Sequence, residues 1–216
     1  ALSAGEQTIA DADRLMQRLE HRLGRLPGPQ VAQPGLEPEP RPPRPHLIDL
    51  ALALVRPGDH LVDVGAGGGD LAFAVAARGC ATLAIEASPA NAAALADRRW
   101  RTGFHDLHLV VADYGVARVD DLLVAFEWAT AALVRLDAGG GTEAALDGMA
   151  GLLAGSPAPA LLVTGDGGAI APLARRGFAC YRVEPGRLLR TVASADGDWL
   201  AIASPLPALP GWEVVA

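Results

Sequence analysis

The chain has 216 residues, half of them apolar, which suits one domain of ordinary size with a sizeable core plus an appendage. A formal charge of −7 and a sequence pI near 5.2 argue against a phosphate-tracking surface, because nucleic-acid binding relies on clustered Lys and Arg displacing counterions. No apolar run reaches the roughly 18 residues of a membrane span, and no basic segment followed by an apolar core opens the chain, so a soluble, cytoplasmic protein is expected.

In chain order, residues 3–26 read as a helix: Ser3-Ala4-Gly5-Glu6 has capping-box spacing, and Ile9, Ala12, Met16, Leu19, Leu23 and Leu26 recur at steps of three and four. That stripe is a short coiled-coil seam, serving either its own domain or self-association and partner docking. Pro34, Pro38, Pro40, Pro42 and Pro43 then mark an extended linker. The expected organisation is an amphipathic helix over 1–26, a linker over 27–45, a catalytic domain over 46–204 and a tail over 205–216. Ala1 in place of methionine suggests a processed chain or a piece of a longer one.

From residue 46 helix and strand alternate. Helices are expected over 47–55, 71–78, 91–101, 120–128, 142–153 and 170–176, and strands over 60–64, 81–85, 107–112, 132–136, 160–164, 180–183 and 199–203. Strands that are continuous apolar runs indicate a mostly parallel sheet covered on both faces. The expectation is an α/β, Rossmann-like, doubly wound sheet of seven strands with an antiparallel C-terminal ending, plus the N-terminal helix. Cys80 and Cys180 open apolar strands and read as buried, reduced residues. The histidines have no metal-binding spacing, and no metal is assigned.

The chemistry concentrates in Asp63-Val64-Gly65-Ala66-Gly67-Gly68-Gly69-Asp70, a glycine-rich turn between a strand and a helix. A backbone that turns sharply and lies against a flat ligand has no room for Cβ atoms, and Gly65 and Gly67 adopt positive φ at little cost. Gly68 and Gly69 leave room where helix and strand meet. About twenty residues on, Glu86 ends the next strand, placed to accept hydrogen bonds from a ribose diol or, alternatively, to cap the helix near Pro89. Asp63 before the first glycine, positioned to face an ammonium group or hold the turn, and Asp70 at the helix start would both repel a pyrophosphate, which disfavours NAD. Asp113 closes the third strand, where it is placed to accept from an adenine amino group. These features select S-adenosylmethionine as cofactor.

The glycine motif with Pro57-Gly58-Asp59 before its strand resembles motif I of class I methyltransferases. More narrowly, residues 47–202 resemble the FkbM-type methyltransferases. The similar segments are Glu86-Ala87-Ser88-Pro89 with Asn91, Val119-Asp120-Asp121-Leu122, Leu133-Val134-Arg135-Leu136-Asp137-Ala138-Gly139-Gly140 with Leu146 and Gly148, and Arg176-Gly177-Phe178. Gly139-Gly140-Gly141-Thr142 stands where that family has Glu-Gly-Ala-Glu, the fifth strand ends in Thr164-Gly165 in place of a glutamate, and the stretch from Tyr114 to Val119 is shorter. The resemblance implies O-methylation of a sugar or secondary-metabolite hydroxyl, a small-molecule acceptor, with cofactor contacts from Asp63, Gly65, Ala66, Gly67, Gly69, Glu86, Ala87 and Asp113. A hydroxyl acceptor needs a base, for which Asp137 is the first choice and Asp166 and Glu127 weaker ones; a helix cap is the other reading of Asp137. Arg135 reads as a structural charge partner. The alternative is a degenerate module that keeps the fold and has lost catalysis.

Overall fold

The computed structural model describes residues 44–215 apart from 115, 138, 166 and 192–194. The expected N-terminal helix and most of the linker lie outside the described residues. The chain enters α1 (Pro45–Leu54), then β1 (His60–Val64), α2 (Asp70–Ala77), β2 (Ala81–Glu86), α3 (Pro89–Thr102) and β3 (Leu107–Val111). It continues through α4 (Val119–Ala125), β4 (Leu133–Leu136), a 3-10 turn at Gly139–Gly141, α5 (Thr142–Gly148), α6 (Ala150–Ala154) and β5 (Ala160–Thr164). A second 3-10 turn (Gly167–Ala169), α7 (Ile170–Arg175), β6 (Ala179–Glu184), β7 (Arg187–Arg190), β8 (Asp198–Ile202) and β9 (Glu213–Val215) complete it.

One nine-stranded sheet runs in the order β3-β2-β1-β4-β5-β8-β6-β7-β9. The first five of these strands are mutually parallel; β8 is antiparallel to both β5 and β6, and β7 is antiparallel to β6. The α/β, mostly parallel architecture with an antiparallel ending is the one expected from the alternating pattern. The sheet is two strands wider than expected: β7 is only Arg187-Leu188-Leu189-Arg190, and β9 comes from the presumed tail and pairs with β7. Both are too short and too charged at their ends to stand out as apolar runs.

Two cores sandwich the sheet. One joins α4, α5, α6 and α7 to one face through residues such as Leu122, Met149, Ile170 and Trp199, and the other packs α1 and α2 on the opposite face through Leu50, Leu71 and Leu200. Every residue of β5 is buried, which is why its sequence is an unbroken apolar run. The helix expected over 142–153 breaks at the fully buried Met149. Asp120 stands at the break: its carboxylate accepts from the N–H groups of Gly151 and Leu152 at 2.8 and 2.9 Å, satisfying the first amides of the new helix. Cys80 and Cys180 are buried free thiols, as their settings suggested. Among the described residues no helix is long and apolar enough to cross a membrane.

Trp199 is the largest fully buried side chain, and its indole N–H donates to the Ala195 carbonyl at 3.0 Å. Trp199→Ala is expected to cost about 3–5 kcal/mol, the range for removing a buried aromatic, read by urea denaturation.

Candidate functional site

The strand order reverses between β1 and β4, and in a doubly wound sheet the ligand crevice opens beyond the carboxyl ends of the strands at that reversal. The glycine turn leaves β1 there, and Asp137 leaves β4. The Asp137 N–H donates to the Val64 carbonyl at 2.8 Å, and a Cβ on Gly65 would lie 2.2 Å from the Asp137 carbonyl oxygen. Gly65, at φ 78°, is therefore required both by conformation and by the neighbouring strand. Gly67, at φ 57°, is different: a Cβ there would meet nothing within 4 Å, so its backbone borders open space.

Of the room expected at Gly68 and Gly69, only that at Gly69 is found, and Ala66 packs inward. A Cβ on Gly69 would come within 3.0 Å of the Phe73 ring, so Gly69 serves helix packing, while Gly68 borders open space and makes no such room. The side chain of Ala66 is buried with Ala72, Phe73, Ala84 and Leu95, which leaves only its backbone for a ligand.

Glu86 ties the loops together. It is 4% exposed; its Oε2 accepts from the Gly67 N–H at 2.6 Å and its Oε1 from the Ser88 N–H at 2.7 Å. The cap of α3 is Ser88, whose hydroxyl accepts from the Asn91 N–H, so the capping role weighed for Glu86 falls to its neighbour. Ala87 is exposed beside it, and Asp113 is exposed two residues beyond β3, in a turn where its carbonyl accepts from the Val116 and Ala117 N–H groups. The loops after β1, β2 and β3 thus bring Gly67, Glu86, Ala87 and Asp113 to one edge of the sheet.

Two residues of this edge were not singled out from sequence. The Tyr114 phenol is pushed up to about 12 by burial and by the Glu86 carboxylate, against a hydrogen bond from the Ala87 backbone, which places it beside the acid. Its position next to Asp113 was the only signal. Arg98, on α3, donates to the Gly68 carbonyl at 3.1 Å and to Asp70 at 2.7 Å, and lies over the Phe73 ring. At thirty residues from Gly68, no local pattern reveals it.

Asp63 departs most from its expected part. It is fully buried, and its Oδ1 accepts from Arg135 at 3.0 Å while Oδ2 has no hydrogen-bond partner. Arg135 also donates to Asp137 at 2.5 Å, so one guanidinium on β4 bridges two carboxylates. Asp63 therefore anchors Arg135 and does not meet a cofactor ammonium. Burial raises its pKa from the ordinary carboxylate value, and Arg135 offsets part of that rise. The expectation of Arg135 as a charge partner matches this geometry. Of the weaker base candidates, Asp166 lies outside the described residues, and Glu127 lies between α4 and β4, at the end of the sheet opposite the crevice. Among the described residues no group of His, Cys, Asp or Glu is arranged to hold a metal ion.

Solved structures with a similar fold include proteins named as methyltransferases. The precorrin-6y C5,15-methyltransferase of Geobacter metallireducens matches with a TM-score of 0.53 and 14% identity, over 74% of this chain and 87% of that one. A precorrin 8W decarboxylase of Methanobacterium thermoautotrophicum matches with a TM-score of 0.55 and 19% identity, over 75% of this chain and 91% of that one. The C-terminal domain of the Rhodobacter capsulatus precorrin-6Y C5,15-methyltransferase matches with a TM-score of 0.53 and 17% identity, over 75% of this chain and 89% of that one. The fold is that of class I methyltransferases. No protein-family model and no curated protein matches the chain by sequence.

Gly65→Ala is expected to destabilise the protein by about 2–3 kcal/mol through overpacking at a positive φ, measured by urea denaturation. Arg135→Met strands two carboxylates and is expected to cost about 3–5 kcal/mol near neutral pH. Because a buried Asp63 with a raised pKa binds its proton more tightly folded than unfolded, that deficit relative to wild type should shrink as pH falls towards the ordinary carboxylate range. A deficit independent of pH would show that Asp63 is not the stranded charge.

Proposed function

We propose that the protein binds S-adenosylmethionine and transfers its methyl group to a small-molecule acceptor. The observation that carries this reading is the Glu86 carboxylate bonded to the Gly67 amide at the strand-order reversal of a methyltransferase fold. The residues fit such a cofactor: Gly67 borders space that a side chain would fill, and each Glu86 oxygen keeps a second lone pair for a ribose hydroxyl after accepting one N–H. Asp113 offers an exposed carboxylate at the adenine end. When bound, the cofactor supplies a methyl group on a sulfonium centre, already activated for in-line displacement. The chain's part is then to position the acceptor and exclude water.

The finer reading is an FkbM-type O-methyltransferase acting on a sugar or secondary-metabolite hydroxyl. It is supported by the ordered motifs from Glu86 to Phe178, although Asp120 of the Val119–Leu122 segment already has a structural use as the cap of α6. For a hydroxyl acceptor Asp137 is the candidate base. Arg135 donates to its Oδ2 at 2.5 Å and so fixes the carboxylate's position. The cofactor-side geometry favours an enzyme over a non-catalytic module.

S-adenosylhomocysteine should raise the melting temperature where NAD does not, because a ligand held only by the native state stabilises it by about 2.7 kcal/mol at a hundredfold excess over Kd. Glu86→Ala should weaken that binding by about 1.5–3 kcal/mol, and Gly67→Val should abolish it sterically. No thermal shift at millimolar ligand would overturn the cofactor assignment. Asp137→Asn should keep cofactor affinity and lower turnover by about 10²–10⁴-fold, followed as S-adenosylhomocysteine release with sugar and polyketide hydroxyl acceptors. Tight cofactor binding without turnover on any of them would favour the non-catalytic alternative.

A further inference from the structure

A cavity of about 640 Å³ lies between α1, the turn joining β6 to β7, and the segment before β9. Its walls include the rings of Pro45, Pro185, Pro210 and Trp212, with His46 and Asp49 as polar side chains. That volume falls in the range of small-molecule sites, and a mostly apolar wall with a few convergent polar groups is their usual composition. Strand directions place it at the cofactor end of the sheet. β6 runs parallel to β5 through the intervening antiparallel β8, so the β6–β7 turn lies at the carboxyl edge, as does the start of β8.

His46 is held in place by that start. Its Nε2 lies 2.9 Å from Oδ2 of Asp198, the first residue of β8, whose other carboxylate oxygen accepts from Arg44. Asp198 pairs in register with Thr164 at the end of β5, so only β5 separates its strand from β4 and Asp137. With Nε2–H donated to Asp198, Nδ1 keeps its lone pair. Burial and the Arg44 cation lower the His46 pKa, with Asp49 opposing. Both polar side chains of the cavity then act as hydrogen-bond acceptors, and its flat proline and indole faces suit a flat apolar partner.

We propose that this cavity binds a planar aromatic compound carrying a hydroxyl group, the ring lying against Trp212 and the prolines and the hydroxyl donating to His46, which Asp198 orients. The binding does not depend on the methyltransferase reading above.

The test is calorimetric titration of the full chain with 2-naphthol, with 2-methoxynaphthalene as the partner lacking a donor. Saturable binding of 2-naphthol, at least tenfold weaker for 2-methoxynaphthalene and for His46→Phe, and weakened in Trp212→Leu, is expected. Circular dichroism checks that each variant is folded; if His46→Phe is not, Trp212→Leu and the methoxy comparison decide. Absence of saturable heat, or equal affinity for both compounds, overturns the proposal, as does binding unchanged in the folded variants. Glu86→Ala should lose S-adenosylhomocysteine and keep 2-naphthol. Naphthol binding by a wild type that does not bind S-adenosylhomocysteine would leave the cavity assignment standing and remove the methyltransferase reading.

Discussion

The close approach of the turn after β1 to the end of β4 is the constraint on which the site depends. Gly65 leaves room for the Asp137 carbonyl that no other residue could leave, and the Asp137 N–H closes a hydrogen bond onto Val64. Arg135 then crosses from β4 to Asp63 on β1 and back to Asp137, binding the two strands through their side chains as well as their backbones. Because β1 and β4 flank the strand-order reversal, this contact sets the floor of the crevice. An unpaired charge there would be costly, which makes the cluster sensitive to loss of any one member.

Glu86 extends that floor sideways. By accepting from Gly67 and Ser88 it fixes the loops after β1 and β2 relative to each other before any ligand arrives. A ligand that needs those two loops in register gains from such preorganisation, since less ordering remains to be done on binding. Tyr114 sits at the same edge, within hydrogen-bond reach of the Ala87 backbone, and Arg98 clamps the outer side of the glycine turn through Gly68 and Asp70. The Glu86 side of the crevice is thus tied by hydrogen bonds, whereas the chain leaving β4 continues into the glycines of the 3-10 turn at Gly139–Gly141.

Local chemistry made much of this legible. A continuous apolar run gave β5 its bounds, and the turn glycines and Glu86 reveal themselves by their place at strand ends, directly before a helix. The resulting alternation of strand and helix was enough to determine the doubly wound class and the place of the glycine turn in it. Sequence could not decide what depends on partners far along the chain. The burial of Asp63 against Arg135, the cap that Asp120 gives α6, the pairing of β9 with β7 and the His46–Asp198 contact join residues from 26 to 152 positions apart. Such contacts leave no period or local composition to read; they exist only once the sheet order brings distant strands side by side.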